Sequence, residues 1–262
     1  MNQIRFFAGI LLSLPFFPLM ILQGKQLRKT LHFPGEPNDT VGECGHSGQK
    51  FRILLLGESS VAGVGASSHA NGLVGALAGQ LADQYEWQVE WEVVAKSGYT
   101  AQRVNQKLLP RIKSSHADLV VIGLGANDAF GWRSPKNWKA DITQLHEQLR
   151  QRFPRTPILF MHLPPLKFFP ALPPLIRKTA AYNLDLLGRE LQSLVEQKEE
   201  TWFCGQSEDF IQELSQTGNR EQVSEYFSDG IHPSEKTYHQ WGLMLARYII
   251  DQQLIKLSQP TS

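Results

Sequence analysis

Two short stretches of the chain carry residues that can work together as a nucleophile and a base. "GESS" (residues 57–60) places two hydroxyls after an apolar run, and "SDGIHPS" places Asp229 three residues before His232. Within one loop, a carboxylate can accept the Nδ1 proton of an imidazole and leave Nε2 free to take a proton from a hydroxyl. The pattern predicts covalent catalysis by a serine, with His232 as its general base.

The stretch "ILLLGESSVAGVG" (residues 53–65) also suggests two phosphate-binding interpretations, and neither fits. A P-loop requires a lysine after its last glycine, and none occurs here. A dinucleotide fingerprint requires a third glycine where Ser68 stands, and an acidic residue at the end of the second predicted strand. A serine held at the tip of a strand-to-helix turn is the interpretation that remains.

Two further polar clusters, "SGYT" (residues 97–100) and "GAND" (residues 125–128), also follow predicted strands. Taken singly, each cluster fits a structural role: Thr100 suits a helix cap, Asn127 a left-handed turn, and Pro233 after His232 a helix start. Together the clusters supply a nucleophile, an oriented base and hydrogen-bond donors, which attack on an acyl carbonyl requires. We therefore expect them to meet in one site.

Alternating short β-rich runs and longer amphipathic stretches predict the elements that position these clusters. The predicted strands are "RILLLGE", "VEWEVVAKSG", "ADLVVIGLGAND", "TPILFMHLPP" and "TWFCG", with helices between them and a last helix after Pro233. Apolar strands joined by crossover helices indicate an α/β fold, a three-layer α/β/α sandwich around a parallel sheet of about five strands. Each polar cluster then lies at the carboxyl edge of the sheet, where such folds bind ligands.

Composition narrows the possible partners. Lys and Arg total 26 against 25 Asp and Glu, so the overall charge does not indicate a nucleic-acid partner. Cys44 and Cys204 lack the spacing of zinc ligands, and we expect no metal and no cofactor. The two cysteines are expected to be free thiols, with a single disulfide as the alternative in an exported protein.

The N-terminus carries an uncharged apolar run, "FFAGILLSLPFFPLMIL" (residues 6–22), between Arg5 and the cluster Lys25, Arg28 and Lys29. Its length falls between the roughly 20 residues of a membrane span and the 7 to 15 of a signal-peptide core. No small-residue cleavage site follows the run, so we expect an uncleaved membrane segment, either spanning or lying in the interface. Basic residues on both sides leave its orientation open between a cytoplasmic and an exported domain.

Composition also predicts the boundaries between the segments of the chain. Residues 23–50 hold Pro34, Pro37 and five glycines, which predicts a linker. We expect a membrane segment or anchor with a basic flank at 1–30, a linker at 31–50, the main domain at 51–255 and a tail at 256–262.

The four ordered clusters resemble the sequence blocks of the SGNH hydrolases, also called GDSL esterases and lipases. The similarity covers about 51–251, and its matching residues are Gly57, Glu58 and Ser59 in the first block, Gly98 in the second, Gly125, Asn127 and Asp128 in the third, and Asp229 and His232 in the last. Glu58 stands where the family has aspartate, which is generally a structural partner in that turn.

This resemblance implies a flavodoxin-like domain in which Ser59, rather than Ser60, is the nucleophile. His232 is then the base and Asp229 orients it. The oxyanion hole comprises the backbone N–H groups of Ser59 and Gly98 and the side-chain amide of Asn127.

The sequence thus predicts a serine esterase or lipase-type hydrolase that cleaves carboxylic esters through an acyl-enzyme. The apolar loop "LPPLKFFPALPPLI" (residues 163–176) and the N-terminal run favour a lipid or other hydrophobic acyl ester, and a loop packed on its own domain is the alternative. An acyltransferase with the same triad, and a membrane-tethered binding protein on a hydrolase-like fold, are the other hypotheses.

Overall fold

The computed structural model describes residues 1–205, 208–216 and 225–255. The predicted tail, 256–262, lies outside these residues. A mixed, mostly parallel sheet of six strands occupies the centre, with helices on both faces. The predicted α/β/α class is confirmed.

The sheet has the order β1-β3-β2-β4-β5-β6, and the strands from β2 to β6 all pair in parallel. The strands are β1 (Val41–Gly45), β2 (Lys50–Gly57), β3 (Gln88–Ala95), β4 (Leu119–Gly123), β5 (Ile158–Phe160) and β6 (Thr201–Phe203). All five residues of β4 are buried, as expected for a central strand covered on both faces.

The helices are α1 (Asn2–Ser13), α2 (Phe17–Thr30), α3 (Leu73–Tyr85), α4 (Ala101–Lys107), α5 (Ala126–Phe130), α6 (Pro135–Arg152), α7 (Pro174–Val195), α8 (Glu208–Gln216) and α9 (Glu235–Asp251). Capping residues in the sequence determine where several of these helices begin. The side chains of Thr100, Ser134 and Ser234 accept hydrogen bonds from the first turns of α4, α6 and α9.

Two apolar cores flank the sheet, because successive residues of a strand point to opposite faces. Leu54 and Leu56 of β2 pack with α4, α6 and α7, whereas Ile53 and Leu55 pack with α3 and α9. Both layers leave the carboxyl ends of the strands uncovered for the loops that carry the polar clusters.

The segment predicted as a linker, residues 31–50, contributes an edge strand. Its strand β1 pairs antiparallel with β3, so the sheet has one strand more than expected and is not wholly parallel. The sequence "VGECG" holds two glycines and no apolar run, so periodicity gives no strand signal. Pairing with β3 is a long-range interaction that local patterns cannot report.

Both cysteines are free thiols. Cys204 follows β6 and is buried, and burial raises its thiol pKa to about 12. The thiol is therefore protonated and unreactive at neutral pH.

Candidate active site

The loops at the carboxyl edge of the sheet bring the predicted site residues into one region. Ser59 follows β2, Gly98 follows β3, Asn127 lies in the first turn of α5 after β4, and the loop with His232 precedes α9. The turn after Ser59 packs on the His232 loop, because Gly65 lies directly against Ser228 and Pro233. It also contacts α9, where the hydroxyl of Tyr238 donates to the Val64 carbonyl at 2.9 Å. The four separated clusters therefore form one site.

Asp229 and His232 form a buried pair. The distance between Asp229 Oδ2 and His232 Nδ1 is 2.8 Å, and each side chain is 5% exposed. The second carboxylate oxygen accepts hydrogen bonds from the backbone N–H groups of Ile231 (2.9 Å) and His232 (2.7 Å). Three bonds thus fix the carboxylate against the imidazole.

The charge of Asp229 follows from these contacts. Burial raises the pKa of this carboxyl, but the hydrogen bonds from the ring and backbone of His232 outweigh burial and hold the pKa below its ordinary value. The ionised carboxylate favours the tautomer with a proton on Nδ1 of His232, which leaves Nε2 as an acceptor. Nε2 has no hydrogen-bond partner among the described residues.

Ser59 lies half-buried in the turn that ends β2. Backbone hydrogen bonds fix this turn, from Glu58 N–H to the Gly123 carbonyl (3.0 Å) and from Val64 N–H to the Ser59 carbonyl (3.2 Å). Neither the hydroxyl nor the N–H of Ser59 is hydrogen-bonded to any residue in the described ranges, so both are available to a ligand. A hydrogen bond between the Ser59 hydroxyl and His232 is therefore not formed here, and such bonds often tighten only when substrate binds.

Gly98 presents a second unpaired backbone N–H. Its φ of +79° belongs to the left-handed region, and the space where a Cβ would lie is empty. Neighbouring groups hold the turn, since Tyr99 N–H donates to the Lys96 carbonyl (3.3 Å) and Ser97 N–H donates to Glu36 Oε1 (2.8 Å). Within the part of the chain that the structure describes, the Gly98 N–H itself has no acceptor.

Asn127 is held by Glu58, the residue that departs from the family pattern. The Glu58 carboxylate accepts from the N–H of Ala126 (2.8 Å), from the N–H of Asn127 (3.0 Å) and from the Asn127 side-chain amide. The same amide donates to the Tyr99 carbonyl at 3.2 Å. Both amide hydrogens of Asn127 are thus engaged, and donation to a substrate would require sharing or moving one of them.

Burial also sets the charge of the acidic residues behind the site. Burial raises the pKa of Glu58 to about 7, although hydrogen bonds from Asn127 and Ala126 oppose it. Burial likewise raises the pKa of Asp128 to about 6, although Asp128 accepts a hydrogen bond from the Ala101 N–H at 2.9 Å. Asp128 thereby joins the start of α4 to α5, behind Asn127.

Sequence reasoning missed two residues of the predicted linker that lie at the site, Phe33 and Glu36, and a third, Asp39, that fastens the linker to the domain. The ring of Phe33 lies 5.3 Å from that of His232, centroid to centroid. Glu36 pairs with Lys96 at 2.6 Å, and Asp39 accepts from the backbone N–H of His69 at 2.9 Å. No motif marks these residues, and only the apolar, aromatic character of Phe33, between His32 and Pro34, distinguishes it.

Among the residues that the structure describes, no group of three or more His, Cys, Asp or Glu side chains is arranged to hold a metal ion.

The sequence model of the GDSL-like lipase/acylhydrolase family matches residues 55–240, most of the chain. The chain belongs to the GDSL-like lipase/acylhydrolase family. It is accordingly an ester hydrolase, and the resemblance expected from the four sequence blocks is confirmed.

Solved structures of other hydrolases share the fold at low sequence identity. A GDSL-like lipase from Parabacteroides merdae has a TM-score of 0.61 at 17% identity, covering 80% of this chain and 100% of that one. A lipase from a goat rumen metagenome has a TM-score of 0.57 at 20% identity, covering 75% of this chain and 96% of that one. An acetyl-xylooligosaccharide esterase from Geobacillus has a TM-score of 0.57 at 18% identity, covering 82% and 97%. No curated protein matches the sequence.

Proposed function

We propose that this GDSL-like enzyme hydrolyses carboxylic esters through a serine acyl-enzyme, with Ser59 as nucleophile, His232 as base and Asp229 as its orienting carboxylate. The observation that supports this proposal is the buried Asp229–His232 pair, which lies beside a turn where Ser59 has both a free hydroxyl and a free N–H. A binding protein on this fold would need none of these three side chains in this arrangement.

The first half of the reaction forms the acyl-enzyme. Nε2 of His232 takes the proton of the Ser59 hydroxyl as its oxygen attacks the acyl carbonyl carbon. The carbonyl oxygen becomes an oxyanion and accepts hydrogen bonds from the N–H groups of Ser59 and Gly98. The tetrahedral intermediate then collapses, and the leaving alkoxide takes the proton from His232 as the acyl group stays on Ser59.

The second half releases the acid. Water gives its proton to Nε2 of His232 and attacks the acyl carbonyl, and the same N–H groups bind the second oxyanion. Collapse breaks the bond to Ser59, whose oxygen recovers the proton from His232. The Asn127 amide is the third donor in this scheme, after it exchanges its bond to Tyr99 for one to the oxyanion.

Labelling with a fluorophosphonate probe tests the nucleophile. We expect labelling of the wild-type enzyme and of Ser60→Ala, and none of Ser59→Ala. Hydrolysis of p-nitrophenyl esters by the same three proteins should follow the same order. Labelling of Ser59→Ala at wild-type rate would overturn the assignment.

The substrate is proposed to be a hydrophobic acyl ester, and the N-terminal helices support this more than the loop at 163–176 does. Leu166, Phe169 and Leu172 of that loop are 1%, 4% and 4% exposed, so its apolar side chains pack in the domain rather than form a lip. The other interpretation of residues 163–176, a loop packed on its own domain, therefore fits better. The loop supports the site instead, because Ala171 N–H donates to the Gly230 carbonyl at 3.1 Å.

The N-terminal helices α1 and α2 pack along the domain. A short 3-10 turn with Pro15 joins them, and together they form a segment, Asn2–Thr30, of suitable length and hydropathy to cross a membrane. Phe6 and Met20 are buried against the domain, and Trp132 contacts the rings of both Phe6 and Phe17. Trp132 thus holds both helices against the domain.

Polar contacts fix the same helices. Asn2 Nδ2 donates to Glu190 Oε1 at 2.8 Å, and the Tyr182 hydroxyl donates to the Arg5 carbonyl at 3.1 Å. A helical segment of 29 residues is about 43 Å long, which exceeds the roughly 30 Å of a bilayer core. If a docked segment spanned the bilayer, it would carry the part of α7 that packs against Gly9, with Tyr182 and the charged residues Lys178 and Asp185 beside it, into hydrocarbon. We therefore infer that it lies in the interface.

The free face of this segment fits a lipid surface. Its large apolar side chains that face away from the domain are each 47% to 76% exposed: Ile4, Phe7, Leu11, Leu12, Leu14, Phe16, Leu19, Ile21 and Leu22. The exposed cations Lys25, Arg28 and Lys29 follow at the end of α2 and suit anionic headgroups. A bilayer is thus the partner that both the apolar and the charged residues favour.

Vesicle binding followed by alkaline carbonate extraction tests this arrangement. We expect the full chain to sediment with phosphatidylglycerol-containing vesicles, and the double variant Phe7→Ser, Leu11→Ser to stay in solution. Carbonate should release an interfacial protein but retain a spanning one. Retention would overturn the interfacial arrangement, and sedimentation of the double variant would overturn this face as the contact.

Acyl transfer is the second candidate function. The salicylyl-acyltransferase of a tetracycline biosynthetic pathway shares the fold with a TM-score of 0.53 at 12% identity, which shows that the architecture accommodates transfer. An alcohol that replaced water in the second half of the reaction would give that outcome. Product analysis with added glycerol or a long-chain alcohol distinguishes transfer from hydrolysis.

A further inference from the structure

We propose that the segment joining α2 to β1, residues 31–40, forms one wall of the active-site cleft, and that Phe33 selects substrates by the alcohol portion of the ester. This inference rests on the proposed function, because it uses the role of His232 in that mechanism. The segment is called the strap below.

Contacts at its far end fasten the strap to the domain. Glu36 pairs with Lys96 Nζ at 2.6 Å and accepts from Ser97 N–H at 2.8 Å. The Thr40 carbonyl accepts from Val93 N–H at 2.7 Å, and β1 begins at the next residue. These bonds fix the strap beside Gly98.

Phe33 lies at the other end of the strap, against the catalytic histidine. Its ring meets that of His232 edge-on at 5.3 Å between centroids, with 61° between the ring planes. Phe33 is 55% exposed, whereas His232 is 4% exposed. A large apolar side chain that covers a catalytic base and remains open to solvent contributes little to the core and offers its free face to a ligand.

The strap encloses an open cleft of about 480 Å³ next to these residues. Phe33, Pro34, Glu36, Val64, Lys96 and Ser97 line it. Because Val64 belongs to the turn after Ser59 and Ser97 precedes Gly98, the strap extends along the cleft from the base to the oxyanion donors. The wall is apolar beside His232 and charged beside Ser97.

The chemistry assigns the apolar end of the wall to the leaving group. His232 must give its proton to the leaving oxygen, so the alcohol portion of the ester lies on the His232 side of the scissile bond. Phe33 is in ring contact with His232 and can therefore pack against that alcohol. Esters of apolar alcohols should gain from this contact, whereas methyl esters should not.

Two substrate series test the assignment. One keeps acetate and varies the alcohol from methanol to octanol, and the other keeps p-nitrophenol and varies the acyl chain. We expect Phe33→Ala to lower kcat/KM about tenfold for octyl acetate, to leave methyl acetate within twofold, and to leave the acyl-chain profile unchanged. Phe33→Leu should restore most of the loss.

The matched control is Val41→Ala, since Val41 is a similarly exposed apolar residue at 63%, on β1 next to the end of the strap. It should leave both series unchanged on dissolved esters. An effect of Phe33→Ala confined to the acyl series, or equal across the alcohol series, would overturn the assignment. Failure of the proposed function would instead appear as undiminished turnover by Ser59→Ala, whatever the Phe33 variants do.

Discussion

The Asn127 side-chain amide and the Asn127 backbone N–H both donate to the same carboxylate oxygen of Glu58. Glu58 is 2% exposed, and it accepts a further bond from Ala126 N–H through its other oxygen. The residue before Ser59 therefore positions the loop that carries Asn127, the proposed third oxyanion donor. A longer acid than the family's aspartate occupies this position without losing contact with the GAND loop.

Replacement of Glu58 should change how stability depends on pH. Its folded pKa of about 7 lies above its ordinary value of 4.5, so its stabilising contribution is complete below pH 4.5 and is lost as the pH rises through 7. Between these values the loss is up to about 1.4 kcal/mol per pH unit. Glu58→Gln removes the titrating carboxyl. The free energy of unfolding of the variant should therefore fall less than that of wild type as the pH rises from 5 to 7. Urea unfolding of both proteins at pH 5 and pH 7 measures it, and identical slopes would contradict the pKa shift.

Asp229→Asn should abolish most of the activity without unfolding the protein. The amide cannot stabilise the protonated imidazole and favours the wrong tautomer of His232, so kcat should fall about 10³- to 10⁴-fold. Asp185→Asn is the control, because Asp185 only pairs with Arg189 on the surface of α7, at 2.9 Å. Steady-state hydrolysis of p-nitrophenyl acetate measures both variants. Similar rates for the two would count against Asp229 as the orienting residue.

Asp229 should also contribute to the loss of folding stability at acid pH. Because its folded pKa is held below the ordinary 3.8, the contribution is present above that pH and is lost as the pH falls through the folded pKa. In urea unfolding below pH 4, wild type should therefore lose more of its free energy of unfolding than Asp229→Asn does. Parallel losses in the two proteins would contradict the shift.

Gly98→Ala should impair catalysis through the backbone. A Cβ at Gly98 meets no atom within 4 Å, but the φ of +79° costs an alanine about 1 kcal/mol and favours rotation of the N–H away from the cleft. We expect kcat to fall about 10- to 100-fold, less than for loss of a donor. Gly79→Ala in α3 is the matched control: its Cβ also meets no atom, and it should raise stability by about 0.5 to 1 kcal/mol with unchanged kcat.

Glu36→Ala should affect turnover more than stability. Its ion pair with Lys96 is partly exposed, with side chains 25% and 51% exposed, so its loss should cost under about 1 kcal/mol. The lost acceptor for Ser97 N–H loosens the turn of Gly98, and kcat should fall several-fold with little change in KM. Glu90→Ala breaks comparable ion pairs with Lys50 and Arg52 at the opposite end of the strands and should leave kcat unchanged. Equal kinetics for the two variants would show that Glu36 has no positioning role.

Local patterns in the sequence predicted the central strands and the convergence of Ser59, Gly98, Asn127 and His232 at one edge. These features depend on apolar runs and on short motifs, which a single segment carries in full. The strap and β1 were not predicted, because their placement depends on Val93, Lys96 and Ser97, more than fifty residues away in sequence. The pattern of the sequence places Phe33 next to prolines, and only the fold places it next to His232.

The packing of Trp132 was beyond sequence reasoning for the same reason. Its partners Phe6 and Phe17 lie on helices that composition assigns to a membrane alone. Their attachment to the domain requires a long-range contact that hydropathy does not report.

The contacts of α1 and α2 with the domain have a consequence for how the enzyme meets its substrate. Only three residues separate Thr30, at the end of α2, from Pro34 of the strap. The connection is therefore too short for the lipid-facing helices to move far from the cleft. Under the proposed membrane contact, the enzyme would search a plane rather than a volume, with its catalytic serine held at a constant height above the lipids. Substrate density per unit area, rather than bulk concentration, would then set its rate.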